Sequence, residues 1–419
     1  MNNWAGNYQY SAVRRHAPKT VAEVQDLVRN ANKVKALGRR HSFNGVADTT
    51  EDQISMEHFD RIVAWDRERN TVTVEGGITY GQLCPELHRQ GYALHNLASL
   101  PHIAVAGACA TATHGSGVGN GNLATAVSAL ELVTADGEVK QLSRERDGET
   151  FLGAVVGLGG LGVVTKLTLD LAPTYHVCQE VYENLPLAQL ESHFEEIMAH
   201  AYSVSLFTDW SGTDFNQVWF KRRESGVHHD ILRLRLFGAT YADVRLHPIP
   251  GLSADPCTEQ MGIPGHWYER LTHFRIDHTP SAGEELQAEY FVPRQHAVAA
   301  IKAVGELREK IVPLVQVSEV RTIAADNLWM SPCYQQDSVA IHFTWFRDEP
   351  AVTALLGEIE AKLAPFHARP HWGKLFTLPH AQLEALYPKL PDFRNLLQTF
   401  DPAGKFRNAY LDRHIFGVG

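Results

Sequence analysis

Residues 157–170 read GLGGLGVVTKLTLD, and the segment after the glycines constrains the fold more than the glycines themselves do. Gly157, Gly159 and Gly162 match the dinucleotide fingerprint G-x-G-x-x-G. That fingerprint needs a strand before it and a helix after it, so that the helix N-terminus meets the pyrophosphate. Here the continuation is β-branched and alternates apolar with polar, the period of a strand. The match therefore fails on context, which argues against a doubly wound nucleotide fold at the one place where the chain spells its motif.

A second glycine-rich stretch, ATATHGSGVGNGN, sets Ser116 beside His114. A hydrolase elbow needs G-x-S-x-G, and the positions flanking Ser116 by two are His114 and Val118, so nucleophilic catalysis is set aside. What remains is a pair of small-residue loops, 38–44 and 107–119, each holding a histidine, His41 and His114. Such loops either permit tight turns or present backbone N–H groups to phosphate oxygens. The residues alone leave both readings open.

The elements around these loops are legible. Residues 20–32 form a helix with Thr20 and Glu23 as a capping box, followed by strand 34–37. Strands 62–65 and 71–75 pair. A helix capped by Thr79 closes at Gly91. Residues 128–142 form a hairpin turning at Asp136-Gly137, and Pro173 stops a long strand that starts at Gly162. Further on, strand, helix, strand, strand, helix run from 286 to 363, with amphipathic helices at 294–311 and 350–363. That order predicts an α+β region, with helices covering one face of a largely antiparallel sheet. Residues 223–262 read as loop, and DPAGKFRNAYL is expected to return to the first half.

At 419 residues the chain is long enough for two domains or three. Its net charge of -10 argues against nucleic acid or an anionic membrane as partner. Five scattered cysteines without a CxxC suggest neither disulfides nor a thiolate zinc site. No leader-like segment opens the chain, and no run approaches the ~18 apolar residues of a membrane span. A cytoplasmic location is expected.

In SEVRTI, period two puts Glu319 and Arg321 on one face. In VAIHFTWF, His342 and Thr344 share a face opposite Val339, Ile341, Phe343 and Trp345. Acid, guanidinium, imidazole and hydroxyl thus come together, either as a binding surface or as the wet side of an antiparallel sheet.

GRRHSFNGVAD, NLASLPHIAVAGACATATHGSGVGNG, ELVTADGEV, GLGGLGVVTKLTLDL, SEVRTIAAD, AIHFTW, RPHWGKLF and DPAGKFRNAYL, in that order, resemble the vanillyl-alcohol-oxidase type of FAD flavoproteins. Within that type the chain looks most like the alditol (xylitol) oxidases, and more distantly like the sugar-lactone oxidases. The resemblance implies an FAD-binding domain of two α+β subdomains (PCMH type) over 1–173 and an α+β substrate domain capping it over 174–375. It also implies a C-terminal segment, 376–419, that returns to the FAD domain. FAD would lie extended, with its 8α carbon bonded to His41.

By the same match Gly38, Arg39, Arg40, Ser42, Phe43 and Asn44 surround the cofactor at that turn. Ala98, Ser99, Ala104, Gly107, Thr111, Ala112, Thr113, His114 and Val164 line it elsewhere, Ala98 leaving room for oxygen. Two details stay open: whether Arg39 and Arg40 pair with phosphate or are solvated, and whether His114 acts or is simply a buried, hydrogen-bonded ring.

The implied activity is oxidation of the terminal hydroxyl of an alditol such as xylitol or sorbitol to the aldose, with O2 reduced to hydrogen peroxide. His342 would be the base. Glu319 and Arg321 would hold the neighbouring hydroxyl, and Ser99 and Thr344 those further along. Lys374, with Arg321, would offset negative charge on the reduced ring. The expected partners are a polyol and O2, with the chain monomeric. Competing readings are a sugar-lactone oxidase, a flavin dehydrogenase using another acceptor, and a sugar-binding protein without flavin.

Overall fold

A computed structural model describes residues 1–224, 235–279 and 281–418. Of the loop expected over 223–262, residues 225–234 lie outside the described residues. The rest is not all loop, since Arg223 ends a strand and Arg235–Leu236 and Ala239–Tyr241 pair as short strands. Strand β1 (Arg14–His16) leads into helix α1 (Val21–Asn30). Thr20 accepts the Glu23 amide, but the Glu23 carboxylate turns to the Lys19 amide, so the capping box is half formed; at the other end the helix stops at Asn30, two residues short of the expected 32. β2 (Val34–Leu37) and β3 (Asp52–Ser55) complete a small parallel sheet in the order β1-β3-β2. Val24, Val28, Val34, Ile54 and Phe406 form its core.

Next come β4 (Ile62–Asp66), β5 (Thr71–Glu75), α2 (Tyr80–Arg89), β6 (Tyr92–Ala93), α3 (Val105–Ala110), β7 (Val127–Val133), β8 (Val139–Ser143), α4 (Arg144–Val155) and β9 (Val163–Asp170). Thr79 and Gln82 form the full capping box of α2, and Gly91 takes φ +86° just beyond it. Five of these strands make an antiparallel sheet, β4-β5-β9-β7-β8. The 157–162 loop has a helix before it and a strand after it, the reverse of a dinucleotide fingerprint.

Two expectations about the turns and strand ends of this sheet need correction. The β7–β8 turn runs Thr134–Gly137 with Gly137 at φ +79°, so Ala135 and Asp136 are its central residues and glycine takes the left-handed position after them. Pro173 does not end β9, which stops at Asp170. It sits in a separate short strand, β10 (Ala172–Pro173), paired only with β6, an edge position where a missing N–H is harmless.

The second half is built on one large antiparallel sheet. Its elements are β11 (His176–Pro186), α5 (Leu187–Met198), β12 (Ser203–Thr208), β13 (Asp214–Arg223), β14 (Arg235–Leu236), β15 (Ala239–Tyr241), β16 (Gly265–His266), β17 (Leu286–Pro293), α6 (Ala297–Gly305), α7 (Arg308–Ile311), β18 (Val315–Ile323), β19 (Ser338–Trp345), α8 (Glu349–Leu363) and β20 (Arg369–Pro370). The strand order is β14-β15-β11-β13-β12-β18-β19-β17-β20, with β16 beside β11.

The helix expected over 294–311 is broken: a 3-10 turn opens it, and α6 and α7 separate after Gly305, a residue that weakens a helix interior. Helices α5, α6 and α8 cover one sheet face. There Leu190, Ile301 and Ile359 pack on Tyr290, Val339, Ile341, Phe343 and Trp345.

The chain then returns through α9 (His380–Leu386), α10 (Leu390–Phe400) and α11 (Ala409–Leu411). Lys405 O accepts the Val34 amide, and the Lys405 ammonium donates to Val28 O. Asn408 donates to Gly45 O and Asp48 O.

Candidate active site

A cleft of about 1790 Å³, counted with its open mouth, runs between the glycine turns of the first half and the free face of the large sheet. It is lined by Gly38, Arg39, Arg40, His41, Ser42, Phe43, Ala98, Ser99, Ala104, Gly107, Thr111, Thr113, His114 and Val164 on one side. Glu319, Arg321, His342, Thr344 and Lys374 line it on the other. Gly159 and Gly162 border the same cleft, although their motif is not a dinucleotide fingerprint.

Two expected residues are not brought in. Asn44 spends its side chain on structure: its Oδ1 accepts the Val46 amide, and its Nδ2 donates to the carbonyls of Trp372 and Lys374. Ala112, at φ +54°, turns its methyl into the apolar core. The Ser116 hydroxyl donates to Val204 O.

The His41 end is shaped by backbone. Arg40 takes φ +65°, and its carbonyl accepts the Trp4 amide, so the Trp4 ring lies 5.3 Å from the His41 ring. His41 Nδ1 is buried without a hydrogen-bond partner among the described residues. Burial first, then His102, Arg40 and Arg39, push its imidazole down to about 4, so the ring is neutral at ordinary pH. Arg39 donates to Gly77 O at 3.3 Å while bordering the cleft, and exposed Arg40 donates to Asn2 O.

Strand register builds the opposite wall. Phe207, Glu319, His342 and Glu289 stand abreast on β12, β18, β19 and β17. The wet-side reading fails here. Glu289 is 1% exposed, Thr344 3%, Glu319 4%, Arg321 5% and His342 7%, because the first half of the chain covers them. A buried polar face needs internal partners, and it has them.

Glu289 accepts from Arg321 at 2.9 Å and from Lys374 at 2.7 Å, and it lies 3.1 Å from His114 Nε2. Arg321 also donates to the Ser99 hydroxyl at 3.2 Å and lies 3.4 Å from Glu319. Burial alone would raise both carboxyls. Lys374, His114 and Arg321 outweigh it at Glu289, and Arg321, His273 and His342 do so at Glu319, so both are held well below the usual carboxylate range. Burial, then Lys374, holds His342 well below an ordinary imidazole, and its Nε2 is buried without a hydrogen-bond partner among the described residues. His114 donates from Nδ1 to Gly115 O at 2.8 Å.

Sequence reasoning missed Glu289 and His273. Glu289 had a signal: in LQAEYFVP, Gln287 and Glu289 alternate with Leu286, Ala288 and Tyr290, placing a carboxylate on the face His342 shares. Glu289 also changes the charge balance, since it is bonded to both Arg321 and Lys374 and offsets one of those two positive charges. His273 lies in a loop without period, where nothing marked it.

The residues fit FAD. One wall is a run of small residues, Gly38, Gly76, Ala98, Ala104, Ala106 and Gly107, which lets backbone approach a flat ring system. Gly76 has no room for more: a Cβ there would stand 2.5 Å from Val164 O. The unpartnered His41 nitrogen borders the same space.

Comparison with known proteins gives consistent likenesses. A family model described as an FAD binding domain matches residues 15–143, and one described as D-arabinono-1,4-lactone oxidase matches 283–414. The chain is 48% identical to an alditol oxidase from a Streptomyces species, over 98% of both chains. It is 29% identical to L-gulonolactone oxidase of Mus musculus, over 99% of this chain and 98% of that one. It is 28% identical to L-gulono-1,4-lactone dehydrogenase of Mycobacterium tuberculosis, over 98% of each. Among solved structures, cholesterol oxidase from B. sterolicum superposes with a TM-score of 0.79 at 15% identity, covering 98% of this chain and 95% of that one, a likeness of fold.

Proposed function

Because the chain belongs to the vanillyl-alcohol-oxidase-type FAD flavoproteins and, within them, to the alditol oxidases, we propose that it oxidises the terminal hydroxyl of an alditol such as xylitol or sorbitol to the aldose, with O2 reduced to hydrogen peroxide. It is an FAD-dependent oxidoreductase. On this reading residues 1–173 and 376–419 hold the cofactor and 174–375 the substrate.

FAD, when bound, supplies the hydride acceptor and returns the electrons to O2. Everything else falls to side chains. His342, unprotonated, takes the hydroxyl proton at Nε2. Glu319 accepts from the adjacent hydroxyl while Arg321 donates to it. Ser99 and Thr344 hold hydroxyls further along. Lys374 and Arg321, partly offset by Glu289, would supply positive charge to stabilise a reduced cofactor. His41 would hold the cofactor covalently at its 8α carbon, its neutral ring being the form able to make that bond.

The observation that carries the reading is the buried polar face: acid, guanidinium, imidazole and hydroxyl converge in a covered cleft that His41 also borders. A polyol offers only hydroxyls, so its site needs such fixed donors and acceptors.

The test is peroxide yield with xylitol, sorbitol and a gulonolactone. Turnover of the lactone alone would favour the lactone oxidases. Flavin that stays with the acid-precipitated protein, and is released in the His41→Ala variant, is the expected result for the covalent bond; attachment surviving in the variant would refute it. The same reading takes the enzyme to work as a cytoplasmic monomer, which sedimentation and cell fractionation test. No helix among the described residues is long and apolar enough to cross a membrane.

A further inference from the structure

One Glu319 oxygen faces Arg321, and the other faces His273, which also borders the cleft. His273 Nε2 lies 2.7 Å from Glu319 Oε1, and His273 Nδ1 lies 2.9 Å from Lys221 Nζ. Lys221, on β13, is 1% exposed. Its Nζ has two further neighbours, Leu271 O at 2.7 Å and Thr272 O at 3.0 Å. Three acceptors thus meet the three N–H bonds of an ammonium. Two are carbonyls, which only accept, so the third N–H falls to the lone pair of Nδ1. A ring that accepts at Nδ1 carries its hydrogen at Nε2, facing the Glu319 carboxylate.

We propose that Lys221 and His273 are positioning residues for Glu319: the ammonium locks His273 in the Nε2–H tautomer, and that N–H holds the carboxylate ionised and oriented to accept a substrate hydroxyl. The polyol role rests on the function proposed above; the tautomer lock does not. Neither residue is needed to contact the polyol. Without the lock, Nδ1–H would turn a lone pair of Nε2 toward an anion, and the Glu319 acceptor geometry would be lost.

The surroundings agree. Burial, then Lys221, pushes His273 down to about 4, so its ring is neutral. Burial pulls Lys221 to about 7 against Glu319 and Cys257, with Arg321 and Arg270 adding to the fall. The lock is therefore set below about pH 7 and released as pH rises through that value, when the amine lone pair would meet Nδ1.

The full-length enzyme labelled with ¹⁵N-histidine tests this directly. Its long-range ¹H–¹⁵N imidazole correlations are recorded at pH 6, the His273 signals being those missing from His273→Gln. The expected result is a neutral ring protonated at Nε2, with the single tautomer lost in Lys221→Met. Protonation at Nδ1, or no change in Lys221→Met, would overturn the lock.

Kinetics test the polyol role. The amide of His273→Gln keeps an acceptor for Lys221 and a donor for Glu319, so it should hold KM for xylitol within about threefold, whereas His273→Leu should raise it roughly 10- to 100-fold with a smaller change in kcat. Equal losses in both variants would reduce His273 to a packing role and overturn the proposal. Absence of alditol turnover in the unaltered enzyme would overturn the polyol role, while the NMR result still decides the lock.

Discussion

His342 stands between two carboxylates on adjacent strands, Glu319 and Glu289, yet its imidazole is held well below its ordinary value, because burial and Lys374 outweigh both acids. The group proposed to accept the hydroxyl proton is thereby unprotonated through the neutral range. Replacing His342 with Ala should cut the rate of flavin reduction by xylitol by roughly 10²-fold or more in stopped flow; an unaltered rate would remove it as the base. The depressed value also fixes the pH dependence. The base is lost only as pH falls through a value well below 6.5, so kcat/KM for xylitol should show no acid limb near that pH. A limb there that vanishes in His342→Ala would contradict the assignment. At this scale the sequence was informative where alternation carried the signal: Glu319, Arg321, His342 and Thr344 share one wall, as period two required. It was silent on His273, whose loop has no period, and on whether that wall was wet. Part of the wall's cover comes from residues distant in sequence, such as Ser99 on Arg321 and His114 beside Glu289.

Elements were readable where local chemistry decided them. Thr79 and Gln82 define the start of α2, and strand 34–37 was found at its observed bounds. The errors fell where one residue changed the geometry. Gly137 moved a turn by one position, Gly305 broke a helix, and Pro173 proved to be an edge residue rather than a terminator. Asn44 was placed beside the cofactor by the family resemblance, but its three hydrogen bonds cap and stitch backbone. The ends of α2 offer a paired test. Gly91 has a left-handed φ but open space, so Gly91→Ala should cost about 1 kcal/mol. Gly77, just before the cap, would place a Cβ 1.8 Å from Met56 O, so Gly77→Ala should cost about 3 kcal/mol or more, or prevent folding. Denaturant unfolding of the two variants measures the difference, and equal losses would refute the close-packing account.

The whole molecule joins two kinds of surface across one cleft. The first half supplies small residues and a neutral histidine; the large sheet supplies a charged, buried face backed by the core under α5, α6 and α8. The α+β class and the antiparallel sheet could be read from element order, and the return of residues 401–411 to β2 from their pattern. Closure of one half over the other could not, because no local pattern encodes which faces meet. That closure is what turns a polar sheet face into a place for chemistry. It is tested most directly by the visible spectrum of the purified protein as xylitol is added without oxygen. The account predicts flavin bands that bleach on mixing and return when O2 is admitted, with hydrogen peroxide formed. A colourless protein, or bands indifferent to xylitol, would contradict it.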